Sequence, residues 1–312
     1  TQANGTYKVY IGSESGTIYA NTDSSYLFAN IGSGDKCTST ETITNIDLLN
    51  TSKTTNMKNM FSATGNTAMT KLELGENFDT SNVTNMESMF DSMGGTAMTN
   101  LELGSNFNTS KVTNMKAMFA NTGAGVMTSL NLGDKFNTSQ VTDMSYMFYG
   151  TGAGAMTTLT LGDNFDTSKV KDMSNMFFAT GSTAMTRLSL GDKFSTASAT
   201  TMENMFAGTG GTAMTELDLG LAFTQIASTN TEIFSYCGKT GCVIYVPKEI
   251  YQDSTHAKLN STTTTTVEYT NGTFKTIERD GTLKETNTET EKTSGFLGNT
   301  SIQRQNIDNI TF

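Results

Sequence analysis

The dipeptide Met-Phe recurs at a fixed interval of 29 residues: Met60-Phe61, Met89-Phe90, Met118-Phe119, Met147-Phe148, Met176-Phe177 and Met205-Phe206. Other apolar positions keep the same period. Met69, Met98, Met127, Met156, Met185 and Met214 form one series, and Phe78, Phe107, Phe136, Phe165, Phe194 and Phe223 form another. The Leu pairs 72/74, 101/103, 130/132, 159/161, 188/190 and 217/219 form a third. A period held at so many positions means one supersecondary unit copied and stacked. A solenoid grows by stacking rather than by enlarging one core, so the 312 residues do not imply two globular domains. A lone copy cannot bury enough apolar surface to offset the entropy of ordering its backbone, so the copies fold only against each other.

Each copy reads in two parts. In Met69-Thr-Lys-Leu72-Glu-Leu74-Gly75, apolar Leu72 and Leu74 alternate with polar Lys71 and Glu73, the period of a half-buried strand that Gly75 ends. In Val83-Thr-Asn-Met86-Glu-Ser-Met89-Phe90, spacings of three, six and seven place four apolar side chains on one face of a helical turn. Thr84 and Glu87 supply a capping box for it, and Thr64-Gly65, Gly94-Gly95 and Thr122-Gly123 end the turn. The expected fold is an α/β repeat solenoid. Its parallel β-sheet lies on a concave face and its short helical turns on a convex face, with small β-rich ends. Imperfect copies extend the array: Ile43, Ile46 and Leu48 keep the strand spacing, Tyr26-Leu27-Phe28 is a divergent Met-Phe position, and Ile233-Phe234 closes the series. Seven strand positions are well spaced.

The organisation expected is an N-terminal β-rich cap over 1–42, the solenoid over 43–236, a C-terminal cap over 237–270, and a linker with the start of a following β module over 271–312. Asn271-Gly272 reads as a hairpin turn between Val267-Glu-Tyr-Thr and Thr273-Phe-Lys. No signal peptide is seen, so the chain reads as mature or as excised from something longer. It stops on an apolar alternation, Ser301 to Phe312. That reads as a cut end, or as a strand that pairs with the next molecule's first strands.

Composition narrows the function. The formal net charge is −10 with a pI near 4.6. A nucleic-acid partner needs a basic face, so none is expected, and an anionic membrane surface is disfavoured likewise. No apolar run approaches the roughly 18 residues of a membrane span, so insertion is not expected. Cys237 and Cys242 are close enough for a small disulfide loop, as exported chains favour, or they are ordinary small residues. The lone histidine, His256, lies near Asp253 outside the array and reads as solvated rather than catalytic. Two polar columns, Glu76/Asp134/Asp163/Asp192 and Asp79/Asn108/Asn137/Asp166/Ser195, offer oxygen ligands for Ca2+ but read better as Asx turns. The 19 methionines fall on the core period and read as core fillers. Neither a metal nor a cofactor is expected.

The motif Asn82-Val-Thr-Asn-Met-Glu-Ser-Met-Phe90, repeated as Lys111 to Phe119 and Gln140 to Phe148 after Phe78-Asp-Thr-Ser81, resembles the BspA-like leucine-rich-repeat surface proteins of bacteria. Val243-Ile-Tyr-Val-Pro-Lys248 resembles the strand that closes many such arrays. The stretch after Met-Phe departs from the family, with Thr-Gly and extra residues where a Cys is usual. The resemblance implies an extracellular, cell-surface or wall-attached protein with adhesin-like roles and a host or microbial surface protein or glycan as partner. The outward strand residues are then the expected contact set: Lys71/Glu73, Asn100/Glu102, Ser129/Asn131, Thr158/Thr160, Arg187/Ser189 and Glu216/Asp218. That face carries no aromatic anchor and only one Arg, although hot spots are usually Trp, Tyr or Arg. The alternative is a structural spacer or self-assembling surface unit. An enzyme such as a glycosidase would need paired carboxylates in a cleft, and Glu73 beside Glu102 has nothing to enclose it.

Overall fold

A computed structural model of the chain describes residues 16–33, 43–227, 229, 233–234, 236–238, 243–245, 274–277 and 283–286. Two short strands open it, β1 (Ile18–Tyr19) and β2 (Leu49–Asn50), paired in parallel. One three-residue strand then falls in each repeat: β3 (Lys71–Glu73), β4 (Asn100–Glu102), β5 (Ser129–Asn131), β6 (Thr158–Thr160), β7 (Arg187–Ser189) and β8 (Glu216–Asp218). A further strand, β9 (Val243–Tyr245), follows β8. Strands β3 with β4, β5 with β6, and β7 with β8 pair in parallel register one period apart, so Leu72 faces Leu101, Leu130 faces Leu159 and Leu188 faces Leu217. Strand β9 adds beside β8 in parallel, as the closing segment was expected to do. The result is a β-rich repeat solenoid.

The helical turns are not there. Among the described residues the one helical element is a single 3-10 turn at Ile46–Leu48. From Met86 to Met93 the chain instead makes overlapping tight turns: the N–H of Met89 donates to Met86 O, that of Asp91 to Ser88 O, and that of Met93 to Phe90 O. The amides between them leave the coil. Those of Met86, Ser88, Phe90 and Ser92 donate to Asn114, Lys116, Met118 and Ala120 of the next repeat. Ser88 and Ser92 have φ of 53° and 56°, which no right-handed helix contains. The residue types agree, since Val, Thr, Asn and Ser are weak helix formers. The capping box is absent too. The Thr84 hydroxyl donates to Thr55 O at 3.2 Å, and the Glu87 carboxylate pairs with Lys58 of the preceding coil at 3.0 Å. The spacing that suggested a helix is produced equally well by turns of three residues.

This second face therefore carries its own ladder. Asp23, Asn56, Asn85, Asn114, Asp143, Asp172, Thr201 and Thr229 are joined by successive parallel bridges without a break. The concave sheet and convex helices rested on a bulky helical side. Without a helical side that reason for curvature is gone; the turn side carries a bridge at every coil, whereas the strand side is paired only as β1–β2, β3–β4, β5–β6 and β7–β8–β9. The two sides are better named the strand face and the turn face. The ladder reaches Asp23, inside the stretch expected to be a cap.

The core between the faces is as the periodicity required. Met69, Leu72, Leu74, Phe78, Val83, Met86, Met89 and Phe90 are all buried, as are their equivalents along the array. Phe28, Phe61, Phe90, Phe119, Phe148, Phe177, Phe206 and Phe234 form one column of parallel rings with centroids 5.3–5.6 Å apart. Phe107, Phe136, Phe165, Phe194 and Phe223 form a second at 6.2–6.5 Å. Two internal threonine columns satisfy buried carbonyls. Thr64, Thr122, Thr151, Thr180 and Thr209 donate at 2.6–2.7 Å to Phe28, Phe90, Phe119, Phe148 and Phe177. Thr51, Thr80, Thr109, Thr138, Thr167 and Thr196 donate at 2.7–2.8 Å to the next coil. A buried polar group without a partner is costly, so these hydroxyls let backbone cross an apolar core.

One edge differs from expectation. Ile46 is buried, but Leu48 is 58% exposed, and Leu49 in β2 fills the place that Phe78 takes one coil later. Downstream, β10 (Phe274–Ile277) pairs antiparallel with β11 (Leu283–Thr286), and the turn expected at Asn271-Gly272 lies outside the described residues. Val267 to Thr270 and the C-terminal run from Ser301 lie outside the described residues.

Candidate functional site

The expected contact set lies on the strand face, where the alternation puts Leu inward and its neighbours outward. Lys71, Glu73, Glu102, Ser129, Asn131, Thr158, Thr160 and Arg187 are exposed, and Asn100, Ser189 and Glu216 are half-buried. Asp218 is buried, with its carboxylate accepting from the Ser189 hydroxyl at 2.9 Å and from Gly220 N–H at 3.0 Å. It is an internal acceptor and not a contact residue.

The rest of this face is largely paired with itself. Lys71 reaches Glu73 at 3.4 Å, and the Asn100 amide donates to Glu102 at 2.8 Å. Arg187, the one Arg of the set, binds Glu216 across the ladder at 3.0 Å. Asn131 accepts from Gly133 N–H at 3.0 Å. Glu73 and Glu102 are register partners, so two like charges lie side by side on an open surface. A ligand meeting this face must replace bonds that the protein already makes to itself.

The Asx reading of the second polar column holds. Ser81, Ser110, Ser139 and Ser168 N–H donate to Asp79, Asn108, Asn137 and Asp166 side chains at 2.8–2.9 Å. Among the described residues no three His, Cys, Asp or Glu gather as metal ligands would, and no helix is long and apolar enough to cross a membrane. Cys237 is fully buried. Cys242 lies outside the described residues, and with it the disulfide; His256 and Asp253 lie outside them as well.

The turn face holds a feature that the expected contact set does not include. Tyr146, 39% exposed, and half-buried Tyr149 and Phe178 form one aromatic patch. The Tyr149 and Phe178 rings stack at 4.9 Å and 7°, and Tyr146 tilts against Tyr149 at 5.7 Å. Lys116 Nζ lies 6.0 Å from the Tyr146 ring centre. The equivalents of Tyr146 in other coils are Tyr26, Asn59, Ser88, Ala117, Asn175 and Asn204, and those of Tyr149 and Phe178 are Ser62, Asp91, Ala120 and Ala207. The signal was legible in the sequence as a local departure from a near-identical repeat. It was hidden by the assumption that these positions lay on a helix.

One acid on this face is perturbed. Burial pushes the Asp91 carboxyl up from its ordinary value, against hydrogen bonds from Ser92 and Asn121.

Two overlapping stretches of the chain, 35–153 and 124–229, match the model of a family described as Mycoplasma protein of unknown function, DUF285. Together they cover more than half of the chain. No curated protein matches it, and neither does any solved structure.

Proposed function

The chain belongs to the DUF285 family, and on that footing we propose that it is a cell-surface repeat module, a rigid non-catalytic spacer displayed outside the cell. The resemblance of Asn82 to Phe90 to BspA-like surface proteins supports the extracellular reading. The observation that carries the reading is the strand face. Its charged and amide side chains largely bond one another, Lys71 to Glu73, Asn100 to Glu102 and Arg187 to Glu216, so most of the groups that could hold a ligand are already engaged. Continuous rungs on the turn side and stacked rings inside suit a rod that transmits length and stiffness.

The second reading is an adhesin whose strand face meets a host or microbial surface protein or glycan. The feature favouring it is variation: Lys71, Asn100, Ser129, Thr158, Arg187 and Glu216 differ while the Leu between them does not. One experiment separates the two. The intact chain and a variant with Lys71, Glu102 and Arg187 changed to Ser are passed over arrayed glycans, matrix proteins and epithelial cells, with light scattering reporting size. A spacer binds nothing through this face, and the variant behaves as the parent. Binding that disappears in the variant overturns the spacer and establishes the adhesin. Size that grows with concentration, with no binding, makes the spacer a self-assembling one.

A further inference from the structure

We propose that the turn face carries a docking site for an arginine-bearing segment of a partner protein, built by Tyr146, Tyr149 and Phe178 with the carboxylates of Asp143 and Asp172. The proposal does not depend on what the strand face does.

The unbroken ladder on the turn face carries neutral Asn at 56, 85 and 114, Thr at 201 and 229, and Asp at 23, 143 and 172, of which 143 and 172 are on neighbouring rungs. The turn itself does not ask for the charge. Asn114 accepts from Lys116 N–H at 3.0 Å, and Asp143 and Asp172 accept from Ser145 and Ser174 N–H at 2.9 Å in the same way. An amide would close each turn equally well. Two carboxylates on neighbouring rungs repel each other, so within the fold the charges are surplus.

The coils of Asp143 and Asp172 carry the aromatic departures. Tyr146 and Tyr149 follow Asp143, and Phe178 follows Asp172. Tyr146 also has φ of 61°, in a column that favours Asn, Asp or Gly, so backbone preference does not explain its choice. Aromatic rings and carboxylates together suit one kind of group, a planar cation. Arginine stacks on ring faces and forks onto carboxylates, whereas the ammonium of lysine does only the first well. The Tyr146 ring already draws Lys116 from this protein's own surface. The overall charge of −10 favours approach of a basic partner.

The test uses substitutions that neighbouring coils already carry, so the fold is kept. One variant combines Tyr146→Asn, Tyr149→Ala and Phe178→Ala; a second combines Asp143→Asn and Asp172→Asn. Calorimetry titrates the full chain with an alternating Gly-Arg peptide, its Gly-Lys counterpart and a neutral hexose oligomer. The expected result is binding of the Arg peptide ahead of the Lys peptide, weakened about tenfold or more in each variant while melting temperatures hold. No binding of the Arg peptide overturns the site. Binding unchanged in both variants overturns it as well, because diffuse charge then suffices. Loss in only one variant overturns the joint role of ring and carboxylate. Binding of the hexose oligomer in place of the Arg peptide, lost with the aromatics, assigns the patch to a glycan instead.

Discussion

At the scale of single residues, the columns turn small chemical choices into repeated ones. The Thr122 hydroxyl is buried and donates to Phe90 O at 2.7 Å. Thr122→Val keeps the shape and removes the donor, leaving a buried carbonyl with one partner fewer. We expect a loss of about 1–3 kcal/mol in urea denaturation. Asp91 gives a pH test. Its folded-state carboxyl is raised by burial, so the protonated form suits the fold better than the charged one. That contribution is fully present below the ordinary aspartate value and is lost as pH rises through the raised one. Asp91→Asn, neutral throughout, is therefore expected to raise the urea midpoint at pH 7, with the gain shrinking toward pH 3. A gain that is the same at both pH values would show that charge is not the cause.

At the scale of elements, the strand and the turn stack do different work. Each repeat strand from β3 to β8 is three residues long, and a glycine follows two residues after its end. Gly104 has φ of 81°, and a Cβ there would lie 2.6 Å from Gly75 O. Gly104→Ala meets both strain and a clash with backbone of the coil before it, and we expect a loss above about 1 kcal/mol in thermal melts. The turn stack depends on its ring column. Phe148 touches Phe119 at 5.6 Å and Phe177 at 5.3 Å. Phe148→Ala should cost about 3–5 kcal/mol and loosen both flanking coils, which hydrogen exchange would show as lost protection around Phe119 and Phe177. The sequence was misleading here. Val83, Met86, Met89 and Phe90 fit a helix face, yet positive φ at Ser88 and Ser92 and amides donated across coils make a ladder.

At the scale of the whole molecule, the bonds and ring stacks between coils run to the coil before or after, so length is adjustable in units of 29 residues. Removing residues 113–141 joins Val112 to Thr142 and leaves both ladders, both ring columns and both threonine columns in phase. We expect that shortened chain to keep its circular dichroism per residue and to melt only modestly lower. Removing half as many residues puts Phe against polar positions and should leave no cooperative transition. The same one-dimensional plan explains why a site on this molecule is a local departure. Tyr146, Tyr149 and Phe178 stand out because the coils around them carry Asn, Ser, Asp or Ala.

The sequence by itself determined the stacking, its period, and which side chains are inside. A 29-residue interval repeated in Met, Leu and Phe leaves burial no other register. It also determined the polar alternation of the strand face and the Asx turns, which are set by neighbours close along the chain. Only the tertiary structure decided that the second face is a ladder of turns. A three-residue turn and a helical turn place apolar side chains alike and differ in where the amides go, and half of those amides go to another coil. Only the fold could show that Arg187 bonds Glu216 and that Asp218 is buried against Ser189, because both depend on residues brought together from adjacent coils.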